Sequence, residues 1–131
     1  EVLCIINRVN HPYVGGCVDT NNSLMVGEDP LTAIRKLAPV SFTNHFSDHR
    51  IVFDQYGCRI VGVATGTGDV PMREAFEAIR ANPDMKRLNI EVEFDPAGDD
   101  CEEARRREYQ AVVDSIRFTR EELGVGRGKN G

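Results

Sequence analysis

The sequence predicts an α/β protein built from β/α units around a parallel sheet. Three observations lead there. Short apolar runs alternate with amphipathic stretches, the pattern of successive β/α units. Potential ligand residues recur where those runs end, at Asp19, His45 and Glu91. The length of 131 residues suits one domain, but falls short of the roughly 250 of a complete eight-stranded barrel.

The elements follow in order. Val2, Ile5, Ile6 and Val9 recur at helical spacing, so residues 1–9 read as the end of a helix. A domain seldom begins in an uncapped helix, and this start reads as a cut. Residues 14–19 form a short strand whose glycines allow close backbone approach. Asp29 as N-cap and Pro30 at the first helical position open a helix. Leu31, Ile34, Leu37 and Ala38 make its apolar face and Pro39 stops it.

Residues 40–46 alternate as a second strand, Val40, Phe42 and Asn44 against Ser41, Thr43 and His45. The polar stretch 47–59 reads as a loop long enough to carry function. Residues 59–64 form a third strand that runs into Thr65-Gly66-Thr67-Gly68-Asp69. Pro71 opens a helix with Met72, Ala75, Phe76 and Ile79 on one face, and Asn82-Pro83-Asp84 breaks it. Residues 87–94 alternate as a fourth strand, with Leu88, Ile90, Val92 and Phe94 on one side. After the turn Asp95-Pro96-Ala97-Gly98, either Asp99 or Asp100 starts a capping box, each with a glutamate three residues on. The last helix shows Tyr109, Val112, Val113 and Ile116, then Leu123, and ends at Gly124. Residues 124–131, with Arg127 and Lys129 among glycines, read as a disordered, solvated tail.

Sixteen basic against twenty-one acidic residues give a net charge of −5, which argues against a nucleic-acid partner. No apolar run approaches the ~20 residues of a membrane span, and no signal peptide is visible. Cys4, Cys17, Cys58 and Cys101 are scattered without a C-x-x-C pair, against both a disulfide framework and a structural zinc. Cys4 and Cys17 lie in apolar stretches, where a thiol behaves as a small hydrophobe. A reducing, cytoplasmic setting fits.

The chemistry centres on the three strand ends. Asp19, His45 and Glu91 are spaced by 26 and 46 residues, one and two β/α units. Side chains at the C-terminal ends of parallel barrel strands converge on one site. Two carboxylates and an imidazole suit a hard divalent ion such as Mn, Mg, Co or a similar metal. Each residue also has a plainer reading. Asp19 can start a turn with Thr20, Asn21 and Asn22, and a lone His45 can be a satisfied inward-facing histidine. Glu91, inside Leu88-Asn89-Ile90-Glu91-Val92, is costly to bury without a charged partner or a metal.

At these residues the sequence resembles the xylose isomerase-like sugar phosphate isomerase/epimerase superfamily. Val14-Gly15-Gly16-Cys17-Val18-Asp19-Thr20-Asn21-Asn22 looks like its fifth strand, with a metal-binding aspartate. Leu37-Ala38-Pro39 leading to His45-Phe46-Ser47-Asp48 looks like the sixth, which ends in an H-x-K-D type motif. Gly66-Thr67-Gly68-Asp69 resembles the seventh-strand G-x-G-D turn. Leu88-Asn89-Ile90-Glu91-Val92-Glu93 resembles the eighth, whose glutamate binds metal and works on substrate. The resemblance runs from about residue 1 to about residue 95, in register.

This resemblance implies a parallel half-barrel, strands five to eight of a TIM barrel, with the first four strands and their glutamate supplied elsewhere. It implies a divalent ion (Mn, Mg, Co or Zn) on Asp19, His45 and Glu91. The ion would hold adjacent oxygens of a keto sugar or polyol while Glu91 and a partner glutamate exchange the proton next to the carbonyl through an enediolate. Asn22, Asp48 and Arg50 are candidates for substrate contact, Asp48 and Arg50 also for orienting the ligand histidine, and Glu93 for supporting Glu91. Arg50 can equally be an exposed loop charge. Asn22, Ser47 and Thr67 depart from the histidine, lysine and glutamate common in the family, so the substrate stays open.

A dehydratase or lyase of the same superfamily shares ligands and enolate chemistry and is the nearest alternative. A barrel endonuclease would need more histidines than His11, His45 and His49 and a basic surface. A non-catalytic fragment, self-associating through open strand edges or completed by a partner half-barrel, is the third reading. The isolated chain is expected to bind metal weakly and not to turn over.

Overall fold

The structure, a computed structural model, describes residues 1–93 and 100–126. The chain divides into two compact units, residues 1–46 with 70–89, and residues 47–69 with 90–131.

The first unit opens with helix α1, Val2–Val9, closed by Asn10 in the left-handed region at φ 43° with its N–H on the Ile6 carbonyl. Residues 1–9 are helical as expected, yet α1 buries none of its side chains. Strand β1, Gly16–Asp19, leads through a short 3-10 turn to α2, Pro30–Leu37. Asp29 caps α2 as expected, its Oδ2 accepting from the Thr32 N–H at 2.7 Å. Strand β2, Ser41–His45, returns parallel to β1, so this β-α-β segment is the parallel pairing that the alternation predicts. Glycine is needed where the strands meet. A Cβ on Gly16 would lie 2.6 Å from Ser41 Oγ, and one on Gly15 2.8 Å from the Phe42 ring.

Helix α3, Met72–Arg80, buries Met72, Ala75 and Ile79. With Val18, Ile34, Ala38, Phe46 and Met85 they form the apolar core of this unit, where Phe76 meets Phe46 edge-on at 6.3 Å. Lining residues 87–89 along β2 is a polar clamp. Buried Asn44 donates to the Arg87 carbonyl at 2.8 Å and accepts from the Asn89 N–H at 3.1 Å. Asn89 Nδ2 answers on the Asn44 carbonyl at 3.0 Å and on Thr43 Oγ1 at 2.9 Å. The Phe46 N–H bonds the Asn89 carbonyl. The fourth strand expected over residues 87–94 therefore differs: residues 87–89 are attached to β2 largely by side-chain amides, and no regular strand is assigned over 87–93. Phe94 lies outside the described residues.

The second unit corrects three expectations. The stretch 47–59 is no loop: β3, Asp48–Asp54, and β4, Gly57–Val63, form an antiparallel hairpin. The third strand is thus the return arm of that hairpin and not a further parallel strand. The reason is connectivity. A parallel strand needs a crossover of about a dozen residues or more, usually helical, and no helix intervenes here. The tight turn escapes notice because Asp54-Gln55-Tyr56-Gly57 lacks the Asn-Gly or Asp-Gly pair of common hairpins. Instead Asp54 Oδ1 accepts from the Tyr56 N–H at 2.8 Å, and Gly57 takes φ 135°.

Helix α4, Cys101–Glu121, is capped by Asp100, which accepts from the N–H groups of Glu102 and Glu103. The Val125 N–H returns to the Thr119 carbonyl across Gly124 at φ 72°, which turns the chain back on the helix end. Its buried face is Ala111, Ser115 and Thr119, not the expected one, since Tyr109 is 70% and Ile116 39% exposed. Small residues win because Gly66 packs on the helix, where a Cβ would lie 2.4 Å from Phe118, and Ser115 Oγ accepts from the Thr65 N–H at 2.9 Å. All four cysteines are exposed, so Cys4 and Cys17 are not the buried hydrophobes expected. The turn at 95–98, Asp99 and the tail from Arg127 lie outside the described residues.

Two outcomes are expected. Asn44→Ala leaves the Arg87 carbonyl and Asn89 N–H without their buried partner and lowers unfolding free energy by about 1–3 kcal/mol, as read by urea denaturation. The Asp29 carboxyl is held below the usual carboxylate range by its hydrogen bonds to Thr32. A depressed folded-state value means that its contribution is present at neutral pH and lost as pH falls through that value. Carboxyl NMR titration should give a midpoint below an ordinary aspartate, and Asp29→Asn should lose less stability than wild type on acidification.

Candidate functional site

In the first unit the parallel register sets Asp19 opposite His45. Both stand at the C-terminal ends of their strands, and Asp19 Oδ2 lies 3.6 Å from His45 Nδ1. The Asp19 side chain is 12% exposed and that of His45 47%, so the pair opens outward from a partly buried carboxylate. Asp19 Oδ1 accepts from the Asn21 N–H at 2.8 Å and the Asn22 N–H at 3.2 Å. The plainer reading of Asp19 as a turn starter is therefore realised, by one oxygen. The other oxygen faces the imidazole. The Thr20 N–H bonds the His45 carbonyl at 3.1 Å, which ties the two strand ends together. Asn22 is exposed at the edge of this turn.

The second unit holds Asp48, Arg50 and Glu91, with Glu93 and with His49, whose role sequence reading left undrawn. Asp48 is buried, and its Oδ2 accepts from the N–H groups of Gly66 and Gly68 at 2.9 and 2.8 Å. Arg50 is exposed and donates through a short hydrogen bond to the Thr67 carbonyl. His49 is 2% exposed, and its Nε2 lies 2.8 Å from Glu93 Oε2. Gly62, the hairpin partner of His49, makes this possible: a Cβ there would fall 1.6 Å from the Glu93 carbonyl oxygen. The signal for this contact was a glycine between the β-branched Ile60, Val61 and Val63.

Glu91 is half-buried and lies in the second unit. It stands midway between Asn89, which Asn44 and Phe46 hold in the first unit, and Glu93, which His49 holds in the second. Of the predicted set, the structure thus pairs Asp19 with His45 directly, and secures the chain on both sides of Glu91.

The geometry of Asp19 and His45 fits a shared cation. At 3.6 Å the two atoms are too far apart for a direct hydrogen bond, yet both can reach one ion with bonds of about 2.0–2.2 Å. The two turn amides fix the carboxylate orientation as a supporting layer does for a metal ligand.

No family model and no curated protein sequence matches the chain. Among solved structures it is similar to a xylose isomerase domain protein from Planctomyces limnophilus, with 23% identity and a TM-score of 0.66 over 93% of this chain. The fold is thus xylose isomerase-like, as the strand-end motifs implied. The match covers 43% of that protein, so this chain spans less than half of its length, consistent with a half-barrel. Among the described residues no helix is long and apolar enough to cross a membrane.

Gly62→Ala should displace Glu93 from His49 and destabilise the protein by about 1–3 kcal/mol. Thermal unfolding together with the His49 imidazole NMR signal measures both effects, and an unchanged imidazole environment would count against the contact.

Proposed function

We propose that this chain supplies Asp19, His45 and Glu91 to the divalent-metal site of a sugar isomerase or epimerase. The donor set is of the type that could hold a metal ion. The observation that supports the reading most is the Asp19–His45 pair, aligned by parallel register at strand ends in a xylose isomerase-like fold. A bound divalent ion would act as a Lewis acid toward adjacent oxygens of a keto sugar or polyol.

The chain's own residues have separate tasks. Asp19 offers one oxygen, oriented by the Asn21 and Asn22 amides, and His45 offers a ring nitrogen. Glu91 takes or returns the proton on the carbon next to the carbonyl, forming and collapsing an enediolate. Asn22 and Arg50, both exposed, contact substrate hydroxyls. For Asp48, burial favours a supporting role.

The second glutamate and the remaining strands come from another half-barrel, contributed by a longer chain, a partner or self-association. Two features support this: the 43% coverage, and the exposed Val2, Ile5 and Val9 of α1 beside β1, which among the described residues pairs on one side only. The reading includes a reducing, cytoplasmic setting, supported by four cysteines outside any disulfide.

Mn²⁺ titration followed by electron paramagnetic resonance tests the site. Asp19→Asn, His45→Ala and Glu91→Gln should each weaken Mn²⁺ affinity by at least about tenfold. Unchanged affinity in all three would sink the assignment. In the completed barrel, Glu91→Gln should abolish deuterium uptake from D₂O at the carbon beside the carbonyl. Loss of water from the substrate in place of that exchange would identify a dehydratase.

A further inference from the structure

Among the described residues, the second unit buries two ionisable side chains, Asp48 and His49. Asp48 is occupied by the Gly66 and Gly68 N–H groups. His49 has no part in the proton transfer proposed above. Burying an imidazole is costly unless its polar atoms are used, and only one is. Its Nε2 lies 2.8 Å from Glu93 Oε2; a carboxylate only accepts, so Nε2 carries the proton and donates. Nδ1 is buried without a hydrogen-bond partner. An apolar side chain of like volume would fill this space without stranding a polar atom. What the imidazole adds is the bond to Glu93.

That bond reaches beyond the hairpin. The His49 side chain is 3% exposed and that of Glu93 53%, so a packed, immobile ring holds a carboxylate that would otherwise move freely in water. The main chain of Glu93 is seated on the same hairpin, at Gly62, the register partner of His49. Residues 91–93 belong to no regular strand, so no backbone ladder fixes them. Only Val92 separates Glu93 from Glu91, at most about 7 Å of extended chain. Glu91, Glu93, His49 and Gly62 all lie in the second unit.

We propose that His49 is a positioning residue: acting through Glu93, it fixes the backbone from which Glu91 projects. The use made of that fixed mount rests on the isomerase/epimerase reading, whereas the anchoring does not. An acid–base carboxylate gains from such a mount, because misplacement by about 1 Å can cost on the order of a hundredfold in rate.

The test measures ¹⁵N relaxation in the 131-residue chain. In wild type the amides of Glu91, Val92 and Glu93 should have order parameters near about 0.85, as in a rigid backbone. Glu93→Ala should lower all three toward about 0.6, with the β3 and β4 amides and the thermal midpoint unchanged. His49→Gln places an amide N–H near the position of Nε2 and should keep residues 91–93 ordered. His49→Asn reaches only the position of Nδ1 and should release them. If either His49 variant fails to fold, Glu93→Ala decides alone. Order at Glu91 unchanged in Glu93→Ala would overturn the proposal. So would equal disorder in the two His49 variants, or a loss of order spread over the whole hairpin, which would assign His49 to folding alone. Mn²⁺ affinity indifferent to Glu91→Gln would defeat the isomerase reading and leave the anchoring intact. A Glu91 amide indifferent to Glu93→Ala would defeat the anchoring and leave the metal site standing.

Discussion

The parallel pairing of β1 with β2 is the constraint on which the first unit depends. Register in a parallel ladder fixes which residues stand level, and here it sets Asp19 beside His45. That register requires the two backbones to approach closely, which Gly15 and Gly16 allow against Phe42 and Ser41. It also requires a crossover between the strands, which the Asp29-capped α2 supplies. Shifting either strand by one residue would turn Asp19 or His45 to the opposite face. Burial of Val18, Ile34, Ala38 and Phe46 favours this register, and the Asn44–Asn89 clamp extends it to the chain that leads to Glu91.

The second unit is organised differently. Its buried residues include Ser47, Asp48, His49, Thr65, Ser115 and Thr119, so much of its interior is held by directed bonds. Buried polar groups are costly unless paired, and pairing demands specific geometry. Asp48 accepts from the glycine loop, Ser115 accepts from Thr65, and His49 pairs with the Glu93 carboxylate. Glycines at 62, 66 and 68 appear where backbone must touch backbone or side chain at short range. Such a unit has few adjustable contacts, which suits a region that fixes the chain around Glu91.

The adjacent residues Asp48 and His49 divide this work. Asp48 closes the loop that follows the hairpin, and His49 holds the segment that follows Glu91. Alternation along β3 sends the two side chains to opposite faces, so one strand end serves two loops. Both are anchored by a single hairpin whose two-residue turn and full register leave little freedom between its arms.

Local signals were legible in the sequence wherever local chemistry decides structure. The Asp29-Pro30 helix start, the apolar spacing of α2 and α3, the short glycine strand ending at Asp19, and the strand-end positions of Asp19 and His45 could all be read directly. The xylose isomerase-like fold was legible too, because its motifs are short and fall at strand ends. Decisions that rest on non-local pairing could not be read. Residues 47–59 carry no turn signal that distinguishes a hairpin from a loop, and the fourth apolar alternation does not reveal that Asn44 and Asn89 replace much of a ladder. Helix α4 turns its small polar face inward because Gly66 and Thr65 press upon it, a contact that spacing along the helix cannot encode. Sequence alone proposed Asp19, His45 and Glu91 as a donor set. Only the tertiary structure decided that one Asp19 oxygen belongs to a turn and that Asp48 belongs to the glycine loop, since each carboxylate goes to whichever N–H groups the folded backbone leaves within reach.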